Sequence, residues 1–406
     1  MVEAVAEAPL EAGTQPLPAA QRARLLAYSG APTLIVNLAA PYWGLLLLPI
    51  TFFLKNRLHL TPNETAQFNL IVALPLFVSA GGIVLHNLIL AAAYVTMALG
   101  LNVVVGFAGL LDLGYVAFFA IGAHVAAHFG SAFWSGVAGG KGFSLLVGEP
   151  AASMPGIHLN FLLILVFAVI ATTVAGVLIG VPTLGLRGDY VGIVTLAFGE
   201  IIGEVVSNGR SIHLFGGTLT GGPNGMSVID RIDLPFIAPF GVLDLRPWYW
   251  FALALVAGVL LVNMRLRDSR HGRAWMALRD DEEVAASTGV PIMRTKLLAY
   301  GVGAALGGVS GAFLASYLGF VNPNQFTFSF SIFILAMVVL GGLGSIWGVV
   351  LGAIVLSAIN NYLLPKIGLT EITSGIYGFL LVFLVVVRPR GLLADRRSVT
   401  LRSSAP

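Results

Sequence analysis

Glu200 and Glu204 are the first residues whose type and spacing could do chemistry. They stand four apart, on one face of a helix that begins near Gly188. Two carboxylates so placed can relay protons along an aqueous pathway or meet a partner helix, unless Glu204 lies near the outer interface, where it costs little. A charge at the bilayer centre costs about 2.5–3.5 kcal/mol on insertion scales, so the pair demands a reason. Asn102, in ALGLNVVVGFAGLLDLG, is a third polar residue at span depth. Asn102, Glu200 and Glu204 are therefore the candidates for lining a pathway. Asp112 follows at the inner interface and reads as the N-cap of the next helix. His86 and His124 are isolated, without a second ligand at metal spacing, and read as packing residues. No metal site is expected. The absence of cysteine removes disulfides, thiolate metal sites and a Cys nucleophile. SGVAGGKGF comes nearest to a phosphate loop, but that pattern needs Gly in place of Ser135 and Ser or Thr in place of Gly142. Catalytic motifs are absent, and no cofactor is expected on this chain.

The elements that position these residues are membrane spans. Of 406 residues, 57% are hydrophobic and 10% charged, and mean hydropathy is +0.91. Soluble domains are about one quarter charged. A formal charge of +3 with no basic, aromatic-interleaved patch argues against nucleic acid as a partner. Spans need about 20 apolar residues, and ten stretches qualify: 33–54, 83–106, 113–131, 159–180, 188–207, 248–264, 297–318, 328–342, 345–363 and 372–387. Phe68–Ser79, short and broken by Pro75, is a doubtful eleventh. The fold class is thus all-α, a polytopic membrane protein of about ten transmembrane helices. Residues 1–30 lack the features of a secretory signal and read as a retained, disordered cytoplasmic arm. Residues 31–82 hold an extra span and an outer connector, and 394–406 form a tail. With the N-terminus inside, 15 of the 22 Lys and Arg fall on the inner side and 7 outside, as the positive-inside rule requires.

The charged island 265–296, RLRDSRHGRAWMALRDDEEVAASTGVPIMRTK, lies between spans on the inner face. Asp280 is placed to cap a helix start, with Glu283 at its third position. Gly289 ends that helix in a left-handed cap and Pro291 prevents its continuation. A helix of roughly nine residues, about 13 Å long, is short enough for a cleft in a soluble partner. On the outer side, loops 132–158 and 208–247 remain. The second carries Thr220, Gly221, Gly222, Pro223, Asn224 and Gly225, a turn-forming run that packs as a surface turn, faces an extracytoplasmic partner or closes over a pathway. Gly303, Gly307, Gly311 and Ala315 recur every four residues, as do Gly344, Gly348 and Gly352. Such small faces let helices approach closely.

Six blocks in order carry a resemblance: ALGLNVVVGFAGLLDLGYVAFFAIGAH, LRGDYVGIVTLAFGEI, TGGPNG, HGRAWMALRDDEEVAASTGV, ASYLGFVNPNQFTFSFSIFILAMVVLGGLGSIWG and RPRGLL. Over Ile83–Leu393 the chain resembles the branched-chain amino-acid ABC transporter permease family, LivM type. The resemblance implies a multi-pass permease of the bacterial inner membrane, and ten spans with the N-terminus inside leave both termini cytoplasmic. It implies a homologous permease as partner, two cytoplasmic ATPases that hold the ATP and Mg, and a periplasmic solute-binding protein. The island then resembles a coupling loop. Glu283-Val284-Ala285 followed by Gly289 is similar to the importer pattern EAA-x3-G, whereas Ala299 and Gly301 replace its downstream I-x-L-P residues. Gly272, Arg273, Arg279, Asp280, Glu283 and Gly289 are the residues expected at the ATPase contact. Branched-chain amino acids are the first expectation for the solute, with urea, short amides or aromatic acids as alternatives. A proton-coupled secondary transporter using Glu200 and Glu204 is the other class of reading.

Overall fold

The computed structural model describes residues 82–367, apart from 136–141, 148–153, 187–188, 215–216, 234–239 and 242, with isolated residues between 375 and 392. All belong to one compact unit beginning at Ala73. The expected arm 1–30, all of the segment 31–82 but Gly82, and the tail 394–406 lie outside the described residues. Of 372–387 only isolated positions are described.

Helix α1 (Ile83–Leu101) runs into a π-helical end, Asn102–Phe107. Then come α2 (Val116–Phe129), α3 (Phe161–Thr183), α4 (Asp189–Asn208) and α5 (Arg246–Asp268). Two short helices, α6 (Arg270–Asp280) and α7 (Glu282–Ser287), precede the long α8 (Ile292–Leu318). Helix α9 (Phe328–Gly341) and α10 (Ile346–Ala358) follow, and α10 continues through a π segment, Ile359–Leu363, into α11 (Leu364–Ile367). Seven of the described helical stretches are long and apolar enough to cross a membrane, and Val116–Phe129 is a shorter apolar helix.

The eight expected spans within this region each meet a helix. The expected span 113–131 shortens to the 14 residues of α2. Its first residues are coil because Gly114 lies against α4: a Cβ there would stand 1.8 Å from the Thr195 carbonyl oxygen. The buried coil is served by side chains, with the Leu113 amide donating to Thr195 Oγ1 at 3.0 Å and the Val116 amide to Ser331 Oγ at 3.2 Å. Irregular backbone at membrane depth is tolerated where protein surrounds it. Asp112 does not cap α2 as expected. It accepts from the Gly114 amide at 3.0 Å, closing the turn before the helix.

The core forms around α1 and α8, the most buried spans. Helix α8 packs on α1, α2 and α3. The small face read from the sequence makes this possible. Gly311 admits the Phe119 carbonyl, and next to it Gly308 meets Gly122, where a Cβ would stand 2.2 Å from the Gly308 oxygen. Interhelical hydrogen bonds add to this packing: Tyr115 donates to the Gly303 carbonyl at 2.7 Å and Ser310 to that of Ala93 at 2.9 Å. In the second glycine series, Gly348 and Gly352 abut Gly341, whereas Gly344 lies in the turn before α10.

Helix ends alternate between two faces. One carries the charged island. On the other, short strands tie the loops together: β1 (Gly130–Ser131), β2 (Phe143–Leu145), β3 (Ile157–Leu159), β4 (His213–Leu214), β5 (Gly217–Thr218), β6 (Met226–Ser227) and β7 (Phe320–Val321). β3 lies between β1 and β2, β4 pairs with β5, and β6 pairs antiparallel with β7. His158 Nδ1 meets Asp230 Oδ2 at 2.6 Å, and the Asp230 amide donates to the Gly130 carbonyl at 2.6 Å. The two large loops are therefore joined into one cap.

Candidate functional site

The island folds as a rigid corner. Ser269 Oγ accepts from the amides of His271 and Gly272, starting α6. Gly272 permits the tight junction with α5, since a Cβ there would stand 2.2 Å from the Leu266 oxygen. Gly272, Trp275 and Leu278, spaced every three residues, turn inward. The Trp275 indole is fully buried and donates to the Thr295 carbonyl at 2.9 Å, fixing α6 to α8.

The expected cap shifts by one residue. Asp280 ends α6, and Asp281 caps α7, its Oδ1 accepting from Glu283 at 2.8 Å and Val284 at 3.0 Å. The two acids compete for one role, and the chain breaks at Asp281 because that residue is extended, with φ −160°. The nine-residue helix expected between Asp280 and Gly289 is the six-residue α7, and the 11-residue α6 precedes it. Gly289 takes φ +87°, as expected, and the Val290 amide donates back to the Ala285 carbonyl at 3.1 Å. That bond closes α7.

Two further contacts bind the corner to the spans. Lys296, only 2% exposed, donates to Glu282 Oε1 at 2.8 Å. Arg279 Nη1 donates to the Gly106 carbonyl at 2.7 Å, at the π-helical end of α1. Gly344 passes against the same guanidinium, and its amide donates to Asn102 Oδ1 at 2.9 Å. One cluster thus joins α6, the end of α1 and the turn between α9 and α10. Arg273, Arg279, Asp280 and Glu283 are exposed as whole residues, as are Met276, Val284 and Met293. Apolar residues rimmed by both signs of charge on an exposed face suit a protein partner.

The pathway candidates separate. Asn102 is fully buried and holds Gly344; its Nδ2 has no partner among the described residues. Glu200 and Glu204 are exposed on α4, on one outward stripe with Tyr190, Ile193 and Ala197. Glu204 Oε2 accepts from Asn208 at 3.1 Å. In the loop run, Thr220 is buried and donates to the Val206 carbonyl at 2.6 Å, whereas Pro223 and Asn224 are exposed. Gly222 and Gly225 have φ +61° and +67°, the turn geometry expected of them. His124 Nδ1 lies 2.8 Å from the Ala120 carbonyl, and His86 Nδ1 2.6 Å from the Tyr317 hydroxyl. Among the described residues no three His, Cys, Asp or Glu side chains converge as metal ligands would. Trp275, Asp281, Glu282 and Lys296 were not singled out from sequence, although the three-residue spacing of Gly272, Trp275 and Leu278 signals a buried face.

Residues 83–385 match the model of a family described as branched-chain amino acid transport system / permease component. The chain belongs to that family. The permease is 38% identical over 353 residues to the high-affinity branched-chain amino acid transport system permease protein LivM of Escherichia coli strain K12, covering 81% of this chain and 73% of that protein. It is 27% identical over 255 residues to the probable LivM permease of Methanocaldococcus jannaschii, covering 58% and 70% of the two chains. It also shares 30% identity over 170 residues with the permease protein LivH of Escherichia coli K12, covering 42% and 53%. No solved structure matches the permease. It is an integral membrane transport subunit.

Proposed function

We propose that the permease is one of two membrane subunits of an ATP-driven importer for branched-chain amino acids, with its charged face in the cytoplasm. The contact of Arg279 with Gly106 carries this reading, because it gives the exposed helix pair a direct hold on the spans. Of two cytoplasmic ATPases, one docks on α6 and α7 through Arg273, Asp280 and Glu283, around Met276 and Val284. ATP and Mg stay on those partners. A periplasmic binding protein delivers the solute to the opposite cap. Movement of the corner then shifts the end of α1 and the α9–α10 turn together, a two-state rearrangement of packed helices.

The likeness to LivH supports a homologous permease as the second subunit. Glu200 lies about 16 Å along α4 from the cytoplasmic end, at 1.5 Å per residue. An exposed carboxylate at that depth needs cover, and we read its stripe as facing the sister subunit. The printed names of the relatives support the solute class. Reconstitution of the permease with a sister permease, ATPases and binding protein tests the reading. Leucine uptake should require ATP and persist without a proton gradient. Uptake by the permease alone under a proton gradient would instead assign Glu200 and Glu204 to a relay.

A further inference from the structure

A cleft of about 280 Å3 opens beside the outer cap, between α1, α9 and the π segment of α10. Its mouth is formed by Asn324 and Gln325, in the 3-10 turn after β7, and by Thr327, the residue before α9. Its walls are Tyr94, Phe119, Phe330 and Phe333. These rings pack edge-on or tilted, with Tyr94 5.9 Å from Phe330 and 5.5 Å from Phe333, and Phe119 5.4 Å from Phe330. Tyr94 stands about 16 Å into α1, so the cleft reaches well below the cap.

Asn360 lines the cleft from the side. It belongs to the π segment Ile359–Leu363, near the end of a span that also carries Ser357 and Asn361. Its Nδ2 donates to Asn361 Oδ1 at 3.0 Å, and Asn361 donates to Ser357 at 3.2 Å. Single π turns inside helices are frequent at functional sites. Amide groups within a span are costly toward lipid and mark solute pathways. The loop run supports the mouth, because Gly225 packs against the Val321 carbonyl, three residues before Asn324.

We infer that this cleft is a transit site for a zwitterionic amino acid with an aliphatic side chain, an inference that rests on the importer reading above. The rings and Leu314 cover an apolar side chain. The amides of Asn324, Gln325 and Asn360 offer both donors and acceptors, which serve an ammonium and a carboxylate together. Among the described residues that line the cleft none is charged. A solute of net charge finds no counter-ion there, so the neutral lining selects against it.

The test uses the complete reconstituted complex. Asn360→Leu should lower leucine moved per ATP hydrolysed by about fivefold or more, the loss expected when polar groups are left unmatched. Stimulation of the ATPase by loaded binding protein should stay within about twofold of wild type, and Asn360→Gln should restore transport. Phe330→Ala, which enlarges the cleft, should raise phenylalanine uptake relative to leucine. Unchanged leucine per ATP in Asn360→Leu together with an unchanged phenylalanine-to-leucine ratio in Phe330→Ala would overturn the site while leaving the importer reading intact. A wild-type complex that moves no neutral amino acid under ATP would overturn the importer reading, and the inference with it.

Discussion

The Arg279 guanidinium donates to the Gly106 carbonyl across 2.7 Å, joining the charged corner to the π-helical end of α1. That carbonyl belongs to a helix end where free acceptors accumulate and a cation is favoured. The bond spans 173 residues of sequence. Around it, Gly109 accommodates the Arg279 stem and Gly344 its tip, and Asn102 holds Gly344 in turn. The Arg279 head thus touches the end of α1 and the turn between α9 and α10 at once.

The cap of α7 is assigned to Asp281. Asp281→Ala should lower the stability of the corner by about 1 kcal/mol, the usual loss for an acidic N-cap. Asp280→Ala should leave stability nearly unchanged. Amide hydrogen exchange over 281–291 in detergent distinguishes them, and equal protection in the two variants would contradict the assignment.

Burial pushes the Asp112 carboxyl up from 3.8 to about 7, while the Gly114 amide pulls the other way. Its Oδ2 has no partner among the described residues. The folded chain thus favours the protonated acid. The penalty for ionisation is absent below the unfolded value, grows from about pH 4 and is complete above about pH 7. Thermal stability should fall across that window, and Asp112→Asn should flatten the fall. Parallel pH profiles for the two proteins would contradict this.

Much of this was legible in the sequence, and the exceptions have physical causes. Eight spans followed from apolar length, and the close helix crossings from Gly303, Gly307 and Gly311, because composition alone sets those features. Gly289 announced its left-handed turn through residue type. The start of α7 was displaced by one residue because Asp280 and Asp281 have the same capping chemistry, and only backbone conformation separates them. The roles of Arg279 and Asn102 depend on contacts made 173 and 242 residues away, which no local pattern encodes. Glu200 and Glu204 were read correctly as sharing a face, but periodicity does not say whether that face looks into the bundle or out of it.

The outward stripe on α4 is read as an interface with the sister permease. Glu200→Arg should weaken association of the two permeases in detergent, while Glu200→Gln should preserve it. Co-purification measures this directly. Undiminished recovery of the sister subunit with Glu200→Arg would place the interface elsewhere.

The central claim is that Arg279 transmits motion from the ATPases to the spans. The decisive measurement is ATP hydrolysis and leucine uptake in the same proteoliposomes, comparing wild type with Arg279→Ala. The account predicts an assembled complex whose ATPase still runs while uptake falls by about tenfold or more, the signature of lost coupling with docking retained. Uptake per ATP equal to wild type would contradict it.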